Sequence, residues 1–281
     1  MTVEALLLGA AQDAGFPQAG CTCAACEAAW AGAIPAEPPV ALALIDHAAG
    51  ASWLIDATPA FPRQLRRLQN AAPDAPLRGI LLTHAHIGHY AGLIHLGREV
   101  MNSAGLPVYA TQRMCDFLAT NAPWSQLVAL GNIMPCAIEP GRPIELSPLL
   151  HVTPFAVPHR AEFSDTVAYR VAGSKRKLFY CPDIDGWDRW SLDAAEIVAG
   201  VDVALLDGTF FSAAELPGRT LAEIPHPLVT ETCARLERLA ERVVFVHLNH
   251  SNPLLHPAST ERRIVEAAGF TVGVTGMRWA V

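Results

Sequence analysis

The sequence predicts an α/β (α+β) fold in which two β-sheets pack together and are covered by helices, in one two-layered or four-layered domain over residues 1–281. Three observations lead there. Short apolar β-like runs outnumber the helical stretches and alternate with them. Hydrophobic residues make up 51% of the chain and charged ones 17%, enough apolar surface for a sizeable core at this length. Side chains able to bind metal recur directly after the β-like runs, where loops at one edge of packed sheets build a site.

In order, strands are expected at 3–8, 40–45, 53–55, 79–82, 107–110, 151–156, 166–171, 177–181, 201–206, 243–247 and 271–274. Helices are expected at 61–70, 90–103, 112–121, 192–199, 230–241 and 257–268, the last two with apolar positions spaced among charges. Turns are marked by Pro73 with Pro76, Pro140-Gly141, Pro217-Gly218 and Pro225 with Pro227. There is no sequence repeat and no low-complexity linker.

Charge and composition exclude several classes. A net charge of −7 without a basic run disfavours a nucleic-acid partner, leaving a small molecule as the expected substrate. No stretch approaches the ~20 apolar residues of a membrane helix, and the first strand lacks the flanks of a secretory signal. A soluble cytoplasmic protein is the expectation, with a homodimer as a candidate assembly. Seven cysteines in a chain of this length point to metal ligation rather than a disulfide framework.

The most informative segment is Thr83-His84-Ala85-His86-Ile87-Gly88-His89, which places three histidines in six residues after an apolar strand. Neutral imidazole is a good ligand for zinc and its neighbours. Residues two apart on extended chain project to one side, so His84 and His86 can grip one ion, while His89 lies beyond the turn, better placed for a second. Further candidates follow later strands: His159, Asp183, Asp207 and His247. Cys21, Cys23 and Cys26, within a loop at about 15–30, are compact enough to wrap one tetrahedral zinc that needs a fourth ligand. Cys115, Cys136, Cys181 and Cys233 read as small packing residues. His47, His95, His151 and His256 lack ligand-spaced partners. Trp124, Trp187 and Trp190 read as packing, and Arg160 as a surface or substrate-pairing cation.

The histidine turn and the later ligands resemble the metallo-β-lactamase superfamily, whose hallmark is His-x-His-x-Asp-His followed by a histidine, a bridging aspartate and a last histidine. That resemblance implies a four-layer αββα sandwich, with His84, His86 and His159 for a first metal, His89 and His247 for a second, and Asp183 as the bridge, Asp183 and His247 also being catalytic. Asp207 is a competing candidate near the pocket. The active-site metal would be Zn, Mn or Fe, one ion or two. One departure stands out: the family's aspartate is Gly88 here, which implies a weak second site, a replacement ligand or altered chemistry. Asp165 and Asp185 are candidate stand-ins, although each reads first as an ordinary exposed carboxylate.

The cysteine cluster is similar to that of the phosphodiesterase branch of phosphonate breakdown, which implies that His247-Leu248-Asn249-His250 gives His247 to the active site and His250 to a structural zinc (Zn). His226 is the runner-up fourth ligand. Three extended steps of ~3.3 Å keep His247 and His250 within ~10 Å, so the two centres are expected to be mechanically coupled. Gly15-Phe16-Pro17-Gln18, Asp207-Gly208-Thr209-Phe210 and residues 247–253 resemble coenzyme PQQ synthesis protein B. The implied functions are hydrolysis of a small ester or phosphodiester, iron-dependent hydroxylation of a tyrosine-derived precursor, or a non-catalytic carrier.

Overall fold

The computed structural model describes residues 3–215 and 225–281. The chain runs through β1 (Val3–Gly9), α1 (Ala24–Trp30), β2 (Ala41–Asp46), β3 (Ala51–Ile55), α2 (Phe61–Ala71) and β4 (Leu77–Leu81). There follow α3 (Ile87–Tyr90), β5 (Leu106–Thr111), α4 (Gln112–Thr120), α5 (Trp124–Ala129), β6 (Ile133–Ile138), β7 (Ile144–Ser147), β8 (Leu150–Ala156), β9 (Val167–Ala172) and β10 (Lys177–Cys181). The last elements are α6 (Ala194–Ala199), β11 (Val203–Asp207), α7 (Val229–Arg235), β12 (Val243–Val246), α8 (Thr260–Ala267), β13 (Thr271–Val272) and β14 (Arg278–Ala280).

Two seven-stranded sheets result, ordered β14-β1-β2-β3-β4-β5-β6 and β13-β12-β11-β10-β9-β8-β7. Both are mixed. In the first, β1, β2 and β3 pair antiparallel and β3 through β6 pair parallel. In the second, β7 through β10 are antiparallel and β10 through β13 parallel. Strands β2 and β3 are buried along their whole length, as expected of strands covered on both faces.

Three apolar layers hold the sheets and helices together. Leu42, Leu44, Trp53 and Ile55 of the first sheet meet Val152, Tyr169 and Tyr180 of the second. Outside the first sheet, Leu54 and Ile80 pack with Phe61, Leu68, Met114 and Leu118 of the helices. Outside the second, Phe179, Leu206 and Phe245 pack with Cys26, Val198, Val229 and Val265. This is the four-layered αββα sandwich.

Several elements depart from the sequence reading. The helix expected over 90–103 instead begins at Ile87, inside the histidine turn, and continues as a 3-10 turn only to Leu96, where Gly97 takes an extended conformation. The stretch expected as one helix over 230–241 is α7 followed by a 3-10 turn, Glu237–Arg242. Helices α1 and α5 and strands β6, β7 and β14 were not expected. Strand β6 carries Pro135, tolerated because β6 is an edge strand. The Pro217-Gly218 turn lies outside the described residues. No helix among the described residues is long and apolar enough to cross a membrane.

Candidate metal centres

Strand β4 delivers the histidine turn to the edge of the sandwich. His86 is extended (φ −94°, ψ 148°) and caps α3, so His84 and His86 stand side by side, ring centroids 4.4 Å apart, while α3 turns His89 back toward them. The hydroxyl of Ser164 accepts the Ala85 N–H at 2.8 Å and fixes the turn against the loop after β8. That loop carries His159, whose Nε2 lies 3.2 Å from His86 Nδ1 and 3.2 Å from Asp183 Oδ1. His84 Nε2 lies 3.3 Å from Asp183 Oδ2. A tetrahedral ion with nitrogen and oxygen ligands needs donors about 3.4 Å apart, so His84, His86, His159 and Asp183 fit one ion.

A second set lies across Asp183. His89 Nε2 and His247 Nε2 are each 3.6 Å from Asp183 Oδ2. Asp13, which the sequence reading did not single out, brings Oδ1 to 3.3 Å from His89 Nε2 and 3.9 Å from His247 Nε2. Buried polar atoms are ordinarily hydrogen-bonded. Here Asp13 Oδ1, His84 Nε2, His89 Nε2, Asp183 Oδ1 and His247 Nε2 are buried without a hydrogen-bond partner and converge on one pocket. Donors that face one another without bonding fit a cation, and the residues present suit the family's metal ions.

Outer hydrogen bonds aim the rings. Asp56 accepts from His89 Nδ1 at 2.8 Å and from the Thr83 hydroxyl at 3.0 Å, and that hydroxyl accepts from His84 Nδ1 at 3.0 Å. Asp185 accepts from His159 Nδ1 at 3.0 Å. Thr209 accepts from His247 Nδ1 at 2.9 Å and donates to Asp207 at 2.7 Å. Holding Nδ1 leaves Nε2 of each of these four rings for the ion. Burial keeps His84, His86 and His159 below the usual imidazole range, so they are neutral ligands. Burial also pushes His89 down, but the carboxylates of Asp56 and Asp13 outweigh it and hold this ring well above that range. Asp183 is held low: the rings crowded around it, His247 foremost, overcome the cost of burying its charge.

Three secondary candidates are placed by this geometry. Asp165 is a surface residue 3.7 Å from Arg113, and Asp185 orients His159; neither stands in at the second set. His226 is away from the cysteines: its Nδ1 lies 2.8 Å from Asp207 Oδ2 and 3.4 Å from Asp183 Oδ1. Burial opposes a proton on His226, yet the Asp207 carboxylate raises it to about 9. Asp207, fully buried, acts through His226 and Thr209. The signal missed for Asp13 was an isolated carboxylate in a glycine-flanked loop, in a chain lacking the motif's own aspartate.

The thiols gather elsewhere. Sγ of Cys21, Cys23 and Cys26 lie 3.5, 3.9 and 3.7 Å from His250 Nδ1. A tetrahedral zinc with three thiolates and one imidazole needs sulfur–nitrogen edges of about 3.6 Å, so this set fits a closed site. The backbone N–H of Cys26 pulls the Cys23 thiol down to about 6. Rather than lying wholly on a loop, the cluster runs into α1: Cys21 precedes the helix, Cys23 is its N-cap residue and Cys26 lies in its first turn. None of the other cysteines joins either donor set, and Trp187 and Trp190 pack in the core with indole N–H groups donating to Thr232 and Ala156.

Comparison with known proteins agrees with this architecture. The beta-lactamase superfamily domain model matches residues 52–248. Coenzyme PQQ synthesis protein B from Methylobacterium nodulans is 32% identical over 305 residues, covering 98% of this chain and 99% of its own. The same protein from Methylobacterium sp. is 30% identical with equal coverage. Zn(2+)-bound PqqB from Methylobacterium extorquens superposes with a TM-score of 0.84 at 26% identity, covering 99% of this chain and all of that one. A diphosphatase from the PhnP family shares the fold, with a TM-score of 0.73 at 21% identity over 100% and 98% of the two chains. The chain belongs to the metallo-β-lactamase superfamily and, within it, is related along its whole length to coenzyme PQQ synthesis protein B.

Proposed function

We propose that the protein is a metal-dependent hydrolase that cleaves a small ester, preferentially a phosphodiester. The observation that carries this reading is Asp183, whose Oδ1 faces His159 at 3.2 Å while Oδ2 faces His84 at 3.3 Å and His89 and His247 at 3.6 Å, so that one carboxylate borders both donor sets. The His84, His86, His159 and Asp183 set and the His89, His247 and Asp183 set would hold divalent ions, which would supply Lewis-acid polarisation of a substrate oxygen and lower the pKa of water from ~15.7 to about 7. Asp183 holds the two sets in register and orients the attacking water. His226, anchored through Nδ1 on Asp207, keeps Nε2 for a substrate or leaving-group oxygen. The diphosphatase sharing the fold supports phosphorus as the centre attacked.

Hydrolysis of bis-(p-nitrophenyl) phosphate by protein loaded with zinc or manganese tests the proposal. Turnover that disappears in His84→Ala supports it, and absence of turnover with every divalent metal rejects it. A second reading, iron-dependent oxidation, is favoured by the kinship with coenzyme PQQ synthesis protein B and by a three-histidine, one-carboxylate set that suits Fe(II) as well as zinc. Substrate-dependent oxygen consumption by the iron-loaded protein would select that reading.

A further inference from the structure

We propose that Asp13 is the replacement for the carboxylate missing at position 88, so that the second ion is held by Asp13, His89, Asp183 and His247. This rests on the pocket being a two-ion centre, not on the reaction catalysed there.

The steric evidence is reciprocal. A Cβ placed on Gly88 would lie 2.0 Å from Asp13 Oδ1, 2.5 Å from its Cα and 2.7 Å from its Cβ. The volume that a side chain at 88 would enter is already filled by Asp13. Gly88 lies in α3 and is not among the glycines with positive φ, so what its position demands is close approach rather than unusual backbone. An aspartate at 88 and the present placement of Asp13 exclude each other.

The electrostatic evidence is independent of that clash. His89 and His247 are 1% and 0% exposed, and their Nε2 atoms and Asp13 Oδ1 are all buried without hydrogen-bond partners. The carboxylate approaches both nitrogens, at 3.3 and 3.9 Å, without bonding either. Three such atoms beside Asp183 Oδ2 are the arrangement a shared cation satisfies.

Asp13 is built into place. Leu248 N–H donates to Ala10 O at 2.9 Å and Gln12 N–H donates to Leu248 O at 2.8 Å, tying the chain beside Asp13 to the chain beside His247. Gly15 N–H closes a turn onto Gln12 O at 2.7 Å, and Gly15 takes the left-handed conformation (φ 74°) that the turn requires. The same two segments run on into Cys21 and His250, so the cysteine centre clamps the loop that carries Asp13.

Metal stoichiometry and manganese spin coupling test this without turnover. The full chain, as zinc at the cysteines plus manganese in the pocket, should hold two manganese ions with a spin-coupled paramagnetic resonance spectrum. Asp13→Ala should keep the cysteine zinc and the first manganese, bind the second at least ~100-fold more weakly, and lose the coupled spectrum. Gly88→Ala, which leaves Asp13 in the chain but drives it aside, should do the same. One pocket ion in the parent protein, retention of the coupled pair in either folded variant, or loss of both pocket ions from folded Asp13→Ala would overturn the assignment.

Discussion

The His84, His86 and His159 half of the pocket and the Asp13, His89 and His247 half face the same carboxylate but are built differently. In the first half the chain around His84 and His86 needs no unusual backbone, and the rings are neutral. In the second, two non-glycine residues are left-handed, Asp56 (φ 69°) and His247 (φ 62°), and a loop packs onto Gly88 at a distance that forbids a side chain. Left-handed non-glycine backbone costs on the order of 1–3 kcal/mol per residue and persists where surrounding structure over-determines it. The second half also gathers three carboxylates, Asp13, Asp56 and Asp183, around one imidazole. The contrast teaches that the first site follows from a local spacing, whereas the second depends on distant segments held together by tertiary structure.

That contrast can be broken or sharpened by substitution. The largest effect is expected from His84→Ala, which removes a donor next to Asp183: phosphodiester turnover should fall to background, checked with bis-(p-nitrophenyl) phosphate after saturating metal. Next, Asp56→Asn weakens the direct hold on His89 and should cost the second ion about 10–100-fold in affinity, with a smaller loss at the first, which Asp56 reaches only through Thr83 and His84; Asp185→Asn, which acts on His159, should weaken the first ion and spare the second. Competition with a fluorescent chelator reads both, and equal losses in the two variants would erase the distinction between the halves. Cys23→Ser should act more mildly. With its zinc weakened, the loop carrying Asp13 and His250 loosens, and second-ion affinity should drop about tenfold with the first unchanged. Unchanged affinity for both ions would show that the centres are uncoupled. The smallest effect is expected from Tyr169→Phe, which deletes the hydroxyl donating to Leu82 O at 2.6 Å below the histidine turn. Stability in urea should fall by about 1 kcal/mol with metal binding intact.

Much of this was legible in the sequence, and what was not has physical causes. The central strands were readable because burial on both faces leaves continuous apolar runs, as in β2, β3 and β11. Edge strands β6 and β14 were not: one contains a proline and the other spans three residues, so neither carries a strong pattern. Helix α1 was hidden because its cysteines read as ligands on a loop. The histidine turn, His159, Asp183 and His247 stand out through their placement after strands. Asp13 carries no such mark, since its meaning depends on the β1 extension pairing with Leu248 and on the emptiness at Gly88. His226, the runner-up ligand for the cysteines, could not be placed from sequence because its flanking prolines say nothing of Asp207, the partner that anchors it.

The most direct measurement is anomalous diffraction from a crystal of the manganese-loaded protein. Two manganese peaks ~3.5–4 Å apart should flank Asp183, one among His84, His86 and His159, the other touching Asp13, His89 and His247. A single peak, or a second peak with Asp13 turned away from it, would contradict a two-ion centre completed by that loop.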